Sequence, residues 1–261
     1  MTAPAMQPAR GPRPSLPLRT QAAMFLRLLA IQGSWNYETL LGNGVGFCVE
    51  PALRLLPGGV HTPEFKHALA RESRYFNAHP YLAAVAVGAL ARAELDGEPP
   101  ERIERFRTAL CGPLGSVGDR LVWAGWLPFC SLLALAVFGL GGNAVLTLGV
   151  FLVLYNAGHL GLRAWGLRTG WMHGLRVASA LGNPVLRRGP REIARLAALA
   201  TGIALPLALQ RIIGPGHRLL GVVLVAVIIF AFVLLRVQRR IDSWRVALLL
   251  LVVFALISVA S

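Results

Sequence analysis

The chain has 261 residues, of which 55% are hydrophobic and 15% are charged, and its mean hydropathy is +0.59. This composition is too apolar for an ordinary soluble domain and is typical of a protein with several membrane segments. The formal net charge of +14 does not indicate nucleic-acid binding, because the arginines cluster between apolar segments, where positive charge marks the cytoplasmic side of a membrane. We therefore expect a lipid bilayer and no nucleic acid as partner.

Residues 1–20 hold five prolines and three arginines. No apolar run of a signal peptide follows the basic residues, so this segment is predicted to be a flexible cytoplasmic tail close to anionic lipid. We expect residues 21–261 to form one membrane domain.

The stretch from Leu28 to Pro51 is predicted to be helical. In a helix, residues three, four and seven apart share a face. One arc would then hold a set of sugar-binding side chains: Gln32, Trp35, Asn36 and Thr39, with Glu38 just beyond. An indole, amides and a carboxylate can stack on a sugar ring and bind its hydroxyls. The alternative is an interfacial aromatic helix with a glycine packing face.

A second polar cluster follows a predicted helical piece, Glu64 to Phe76. Pro80 disfavours helical geometry at His79, so we expect Asn77 and His79 to lie at a break in the backbone. The apolar run Tyr81–Leu90 is too short to span a membrane, which indicates a re-entrant hairpin or a buried helix. Short, broken, polar-studded segments are typical of transporter substrate sites.

The charged segment 92–107 must be solvated, and a glycine-rich stretch follows it. Four residues there are predicted to be structural: Gly112, Pro113, Gly118 and Asp119. The stretch lacks the spacing and the preceding strand of a nucleotide-binding loop. We expect a tight turn at the start of a membrane helix, with Asp119 as its cap.

Five apolar segments follow: Leu121–Leu140, Ala144–Leu162, Leu196–Ile213, Leu219–Leu235 and Val246–Ala260. Arginine-rich connections, Arg163–Arg195 and Arg236–Arg245, alternate with connections that carry little charge. The positive-inside rule then places the N-terminus in the cytoplasm and the C-terminus outside. The sequence thus predicts an all-α, polytopic helical membrane protein with short re-entrant or broken helices in its N-terminal half.

Three motifs together resemble the IID membrane component of the mannose-family phosphoenolpyruvate-dependent sugar phosphotransferase system. The family's Q-x-x-W-N-Y-E pattern and its later proline are matched by Gln32, Trp35, Asn36, Tyr37, Glu38 and Pro51. Its F-F-N-T-H-P pattern, with an upstream arginine, resembles Arg71, Tyr75, Phe76, Asn77, His79 and Pro80. Its G-P-L-x-G-x-G-D pattern resembles Gly112, Pro113, Leu114, Gly118 and Asp119. Their order is more specific than any one motif.

The resemblance implies a function in sugar import. In this family IIC and IID together form the membrane channel, and phosphate passes through IIA to IIB, which phosphorylates the hexose. The resemblance therefore implies a multi-pass subunit of the bacterial inner membrane in a hetero-oligomer, without a phosphorylated residue. Six residues would bind the sugar: Gln32, Trp35, Asn36, Glu38, Asn77 and His79.

The family pattern is not matched everywhere. Thr39 stands in place of an arginine, Glu50 in place of an apolar residue, and Glu72 in place of a histidine. These departures motivate an alternative hypothesis, an orphan IID-like protein with a regulatory or scaffolding role. The sequence contains no pairing of a nucleophile with a base that would indicate an enzyme, so we expect no catalytic residue. Cys48, Cys111 and Cys130 lack metal-ligand spacing, and we expect no metal and no cofactor.

Overall fold

The structure is a computed structural model, and it describes residues 16–177 and 184–213. Its eight α-helices within those ranges, in chain order, are α1 Leu18–Leu28, α2 Gly42–Leu53, α3 Pro63–Glu72, α4 Ala83–Leu95, α5 Pro100–Gly118, α6 Leu127–Gly139, α7 Ala144–His173 and α8 Pro184–Ile213. Short 3₁₀ turns lie at Gly59–His61 and Gly174–Arg176. The described residues form no β-strand, only two isolated bridges.

Three continuous helices are long and apolar enough to cross a membrane: Pro100–Gly139, Ala144–Arg176 and Arg188–Ile212. They cover the first three predicted apolar segments to within one residue, and the all-helical polytopic architecture is confirmed. The last two predicted segments, Leu219–Leu235 and Val246–Ala260, lie outside the described residues, as does most of the predicted tail. Helix α1 begins at Leu18, inside the range predicted as tail.

The glycine-rich stretch around Gly112 is helical, so the predicted tight turn is wrong. Helix α5 contains Pro113 and continues through a π-helical stretch, Asp119–Trp126, into α6. Asp119 has the helical backbone angles φ −61° and ψ −43°, so it lies within the continuous helix and does not cap the start of one. Glycine and proline occur more often in membrane helices than in soluble ones, because neighbouring helices satisfy the freed backbone groups.

Helix α4 forms the centre of the core. Eleven of its thirteen residues are buried, which confirms the buried-helix alternative for the run that starts at Tyr81. Its main partner is α7, and the two helices approach closely at glycines. A Cβ atom at Gly88 would overlap the carbonyl oxygen of Leu167, and one at Gly170 would overlap that of Val85. Such contacts, which only glycine permits, bring two backbones together inside a membrane protein.

Candidate functional site

The first motif lies in a loop between α1 and α2, not in a helix. Helix α1 ends at Leu28 and α2 begins at Gly42, and residues 29–41 make successive turns. The prediction of a helical arc was therefore wrong. The loop reverses direction at Leu40, whose φ is +50°, an uncommon value for a leucine.

Asn36 holds this loop in shape. Its Oδ1 accepts hydrogen bonds from the backbone N–H groups of Glu38 and Thr39, each at 2.9 Å. Its Nδ2 donates to Oγ1 of Thr39 at 2.9 Å and to the backbone oxygen of Ser34 at 3.2 Å. Asparagine side chains that bond the following backbone in this way compete with helix formation. Asn36 is therefore a structural residue of the loop, and its amide is largely occupied.

A short parallel bridge joins the first motif to the second. The N–H of Leu41 donates to the carbonyl oxygen of Phe76 at 3.0 Å, and the N–H of Phe76 donates to that of Thr39 at 3.1 Å. Phe76 itself is fully buried. The two motifs, about 40 residues apart along the chain, are thus fixed side by side through their backbones.

The bridge leaves several predicted sugar-binding side chains on the surface. Gln32, Trp35, Glu38 and Asn77 are exposed, and the Trp35 ring meets that of Tyr37 edge-on with centroids 4.8 Å apart. Asn77 directly follows the bridge residue Phe76. The two bridged motifs thus present an indole, a carboxylate and two amides at the surface of the described chain, outside its core.

His79 differs from the other predicted ligands because it is buried, with an exposed fraction of 1%. Its Nδ1 accepts a hydrogen bond from the N–H of Tyr81 at 3.2 Å. The neutral ring therefore carries its proton on Nε2, which has no hydrogen-bond partner among the described residues. Burial, and secondarily the charge of Arg163, lowers the pKa of His79 to about 4. His79 is thus a neutral donor at physiological pH.

An aromatic cluster that the sequence analysis missed surrounds His79. The rings of Tyr81 and Trp123 lie 4.9 and 5.1 Å from it, between centroids. Tyr81 shares a hydrogen bond of 2.7 Å with the hydroxyl of Tyr155, and its ring centroid lies 4.4 Å from that of His159. The cluster joins the chain just before α4 to the π-helical stretch and α7.

Arg163 closes one side of the cluster. It is almost fully buried, lies over the Tyr81 ring at 4.8 Å, and donates to Nε2 of His159 at 2.8 Å and to the backbone oxygen of Leu28. The signal in the sequence was the spacing of Tyr155, His159 and Arg163. They recur every four residues around the end of an apolar segment and so share one helix face, where polar groups are costly unless they are paired or functional.

The sequence of residues 16–205 matches the family model of the PTS system mannose/fructose/sorbose family IID component. The chain belongs to this IID family. It is 32% identical over 165 residues to the fructose permease IID component of Bacillus subtilis (strain 168), covering 61% of this chain and 58% of the relative. It is 29% identical over 170 residues to the mannose-specific EIID component of Escherichia coli (strain K12), covering 63% and 59%.

A sorbose-specific EIID component of Klebsiella pneumoniae is 33% identical over 174 residues, covering 64% of this chain and 61% of the relative. The IID chain thus spans about three fifths of the length of the curated relatives it matches. A solved structure of the mannose transporter ManYZ with microcin E492 has a similar chain, with a TM-score of 0.56, 23% identity and coverage of 94% and 96%. A second solved membrane protein gives a TM-score of 0.68, 22% identity and coverage of 95% and 97%. These two likenesses show a shared fold.

Two unusual acids of this IID component are paired with arginines. Glu50 binds Arg27 at 2.6 Å and Arg54 at 2.5 Å, and Arg27 also lies over the Phe47 ring. Glu72 is fully buried, 3.5 Å from Arg107. Thr39, the third departure, serves the loop through the Asn36 and Phe76 contacts. The departures are therefore accommodated within the fold.

The Glu72 environment is short of hydrogen-bond donors. The NH1 and NH2 groups of Arg107 donate hydrogen bonds to the backbone oxygens of Arg71 and Arg74. Arg71 forms a bidentate ion pair with Glu94. Neither carboxylate oxygen of Glu72 accepts a hydrogen bond from a described residue. Burial raises the pKa of Glu72 well above its usual range, Arg107 opposes this shift, and the Glu94 carboxylate, to which a protonated Glu72 can donate, adds to it.

Within residues 16–177 and 184–213, the IID chain has no group of three or more His, Cys, Asp or Glu side chains that could hold a metal ion. Its three cysteines are free thiols, two of them buried, and burial raises the pKa of Cys48 to about 12. A thiol with that pKa stays protonated and is a poor nucleophile at neutral pH.

Proposed function

We propose that this IID component forms, together with a IIC subunit, the membrane channel of a mannose-family permease that translocates a hexose. IIB, charged by IIA, would phosphorylate the sugar at the cytoplasmic face. The chain itself would carry no phosphorylated residue and would act in the bacterial inner membrane with its N-terminus in the cytoplasm. The family membership and the names of the fructose, mannose and sorbose relatives support a hexose as substrate.

One observation carries the proposal. The backbone bridge between Leu40 and Phe76 fixes both motifs so that Gln32, Trp35, Glu38 and Asn77 are exposed. A tryptophan with an exposed fraction of 45% can stack on the apolar face of a sugar ring, and a carboxylate can accept from two hydroxyls. In this proposal the exposed side chains of the IID chain form only one side of the sugar site. We infer that the IIC subunit supplies the other.

His79 has a different role in this proposal. Because it is buried, it would reach a sugar only through its Nε2–H, which has no partner among the described residues. If His79 does not bind sugar, its hydrogen bond from the N–H of Tyr81 would still stabilise the start of α4. In this proposal Trp35 would stack on the sugar, Gln32, Glu38 and Asn77 would bind its hydroxyls, and Asn36 would shape the loop.

Reconstitution tests the proposal. The purified chain is placed in liposomes alone, with a IIC subunit, and with IIC plus phosphorylated IIB inside the vesicles. We expect saturable hexose uptake only in the preparations that contain both membrane subunits, and sugar phosphate only when IIB is present. Uptake by the chain alone would overturn the subunit proposal. If the chain forms a stable complex with IIC but this complex transports none of the hexoses tested, the scaffolding alternative is favoured.

A further inference from the structure

A cavity lined by two arginines lies between the end of α5 with the π-helical stretch that follows it and α8. It has a volume of about 560 Å³, within the range of small-molecule sites. Arg120 and Arg191 line it together with apolar walls from Val117, Ala124, Leu186 and Ala194. Its lining adjoins the third motif through Val117 and Arg120 but contains no residue of the first motif loop, 29–41.

Both guanidinium groups are available for a ligand. Arg120 and Arg191 are exposed, and neither guanidinium group forms an ion pair or a hydrogen bond with a described residue. Nearby Arg195, in contrast, is already paired with Glu192 at 2.9 Å. An arginine presents a planar set of donors that fits a phosphate group and binds it bidentately.

The position of the cavity indicates where its ligand comes from. Arg120 directly precedes the apolar run Leu121–Leu140 of one candidate span, and Arg191 stands near the start of another, Arg188–Ile212. The cavity therefore lies where two membrane helices leave the hydrocarbon region, at the level of lipid headgroups. The apolar walls can contact the glycerol and upper acyl chains, while the arginines face the phosphate. Basic pockets of this kind between membrane helices select anionic lipids.

We propose that this cavity binds the phosphate group of an anionic phospholipid through Arg120 and Arg191. The lipid would fill the space between the π-helical stretch and α8 and hold these helices together. Because the site stands apart from the exposed motif loop, sugar uptake and lipid binding can be tested independently.

Native mass spectrometry of the purified full chain in detergent tests the assignment, with phosphatidylglycerol and phosphatidylcholine as probes. The site variant is Arg120→Gln/Arg191→Gln. The matched control, Arg105→Gln/Arg168→Gln, removes the same charge from two exposed positions outside the cavity. We expect one phosphatidylglycerol on the wild type and the control, at least tenfold weaker binding to the site variant, and weaker binding of phosphatidylcholine to all of them.

A lysine variant, Arg120→Lys/Arg191→Lys, separates the contribution of positive charge from that of the bidentate guanidinium geometry. It keeps the charge but loses the bidentate geometry, so its affinity should fall between those of the wild type and the glutamine variant. The proposal is overturned if the glutamine variant binds phosphatidylglycerol as tightly as the control does, or if phosphatidylcholine binds equally well. Displacement of the lipid by millimolar inorganic phosphate would also overturn it and would assign the cavity to a soluble oxyanion.

Discussion

Gly118 lies directly against the side chain of His79: a Cβ atom on Gly118 would overlap the Cβ and Cγ atoms of that histidine. The N–H of His79 also points to the carbonyl oxygen of Leu114 at 3.4 Å. The third motif is therefore a packing surface for the second, and its glycine is required by close approach to His79. This contact gives Gly118 a structural role that differs from the predicted turn.

Replacing Gly118 should thus cost stability, whereas replacing Gly112 should not. Gly118→Ala forces His79 away and is expected to destabilise the protein by about 1–3 kcal/mol, as overpacking does. Gly112 has no neighbour within 4 Å of an added Cβ, so Gly112→Ala should be neutral or stabilising by up to ~1 kcal/mol. Thermal unfolding of both variants in the same detergent is the measurement. Equal melting temperatures would show that the His79 contact is not tightly packed.

Asn36 offers a way to separate loop structure from sugar binding. Asn36→Ala removes the acceptor of the Glu38 and Thr39 N–H groups and should destabilise the loop by about 0.5–2 kcal/mol. Asn36→Asp keeps the Oδ1 acceptor of both N–H groups and loses only the bonds that Nδ2 donates to Thr39 and to the backbone oxygen of Ser34, so its loop should stay folded. Limited proteolysis within residues 29–41 measures the difference. Rapid cleavage of Asn36→Asp, at the rate seen for Asn36→Ala, would contradict the assignment.

Glu72 should make the stability of the chain depend on pH. Its pKa is raised in the folded state above the ordinary value of 4.5, so the folded chain holds this proton more tightly than the unfolded chain does. The stabilisation is complete below pH 4.5 and is lost as the pH rises through the folded pKa. Glu72→Gln mimics the protonated acid, so its melting temperature should fall less between pH 5 and pH 8 than that of the wild type.

The matched control for Glu72 is Glu64→Gln, which neutralises an exposed carboxylate on the same helix, α3. Its pH profile should parallel that of the wild type. If Glu72→Gln and Glu64→Gln have the same profile, the buried acid does not titrate in this range, and the ion pair with Arg107 dominates instead.

Hydropathy and motif order predicted the helical class, the three apolar segments that lie on the described membrane helices and, as one of two alternatives, the buried α4, because these features depend on composition along the chain. The motif loop was predicted as a helix because periodicity ignores the competing hydrogen bonds of Asn36 and the left-handed backbone of Leu40. The glycine stretch was predicted as a turn because glycine and proline break helices in water but are tolerated in a membrane protein. The cluster of Tyr81 with Tyr155 joins residues 74 positions apart, a contact that no local pattern contains.

The orientation of the chain in the membrane is a further testable prediction. Arg92, at the end of α4, lies over the Trp171 ring at 5.3 Å, so the charged segment 92–107 begins beside the arginine-rich end of α7. At the other end of the helices, Arg211 donates to the backbone oxygens of Phe138 and Gly142. The positive-inside rule assigns the first end to the cytoplasm. Reporter fusions after Pro17 should report a cytoplasmic location, and fusions after Ser261 an external one. A cytoplasmic signal from Ser261 would contradict this topology.

The last prediction concerns the exposed side chains of the motif loop. If Trp35 and Glu38 line the sugar site, their replacement should abolish uptake by the assembled complex and leave the assembly with IIC intact. Trp35→Phe should be milder than Trp35→Ala, because a benzene ring keeps part of the stacking surface. Glu38→Gln should lose about 1.5–3 kcal/mol of binding, or roughly ten- to a hundredfold in affinity, since hydrogen bonds to a charged group are the stronger ones.

Uptake and co-purification with IIC, measured on the same membranes, decide between two roles for this loop. Glu64→Gln is again the control, because it removes an exposed carboxylate away from the motif loop and should change neither quantity. If Glu38→Gln transports normally while Trp35→Ala prevents co-purification, the exposed indole belongs to an interface between the subunits. The sugar would then have to be bound elsewhere, and the unpartnered Nε2–H of His79, with the hydroxyls of Tyr81 and Tyr155 nearby, would be the next group to test by substitution.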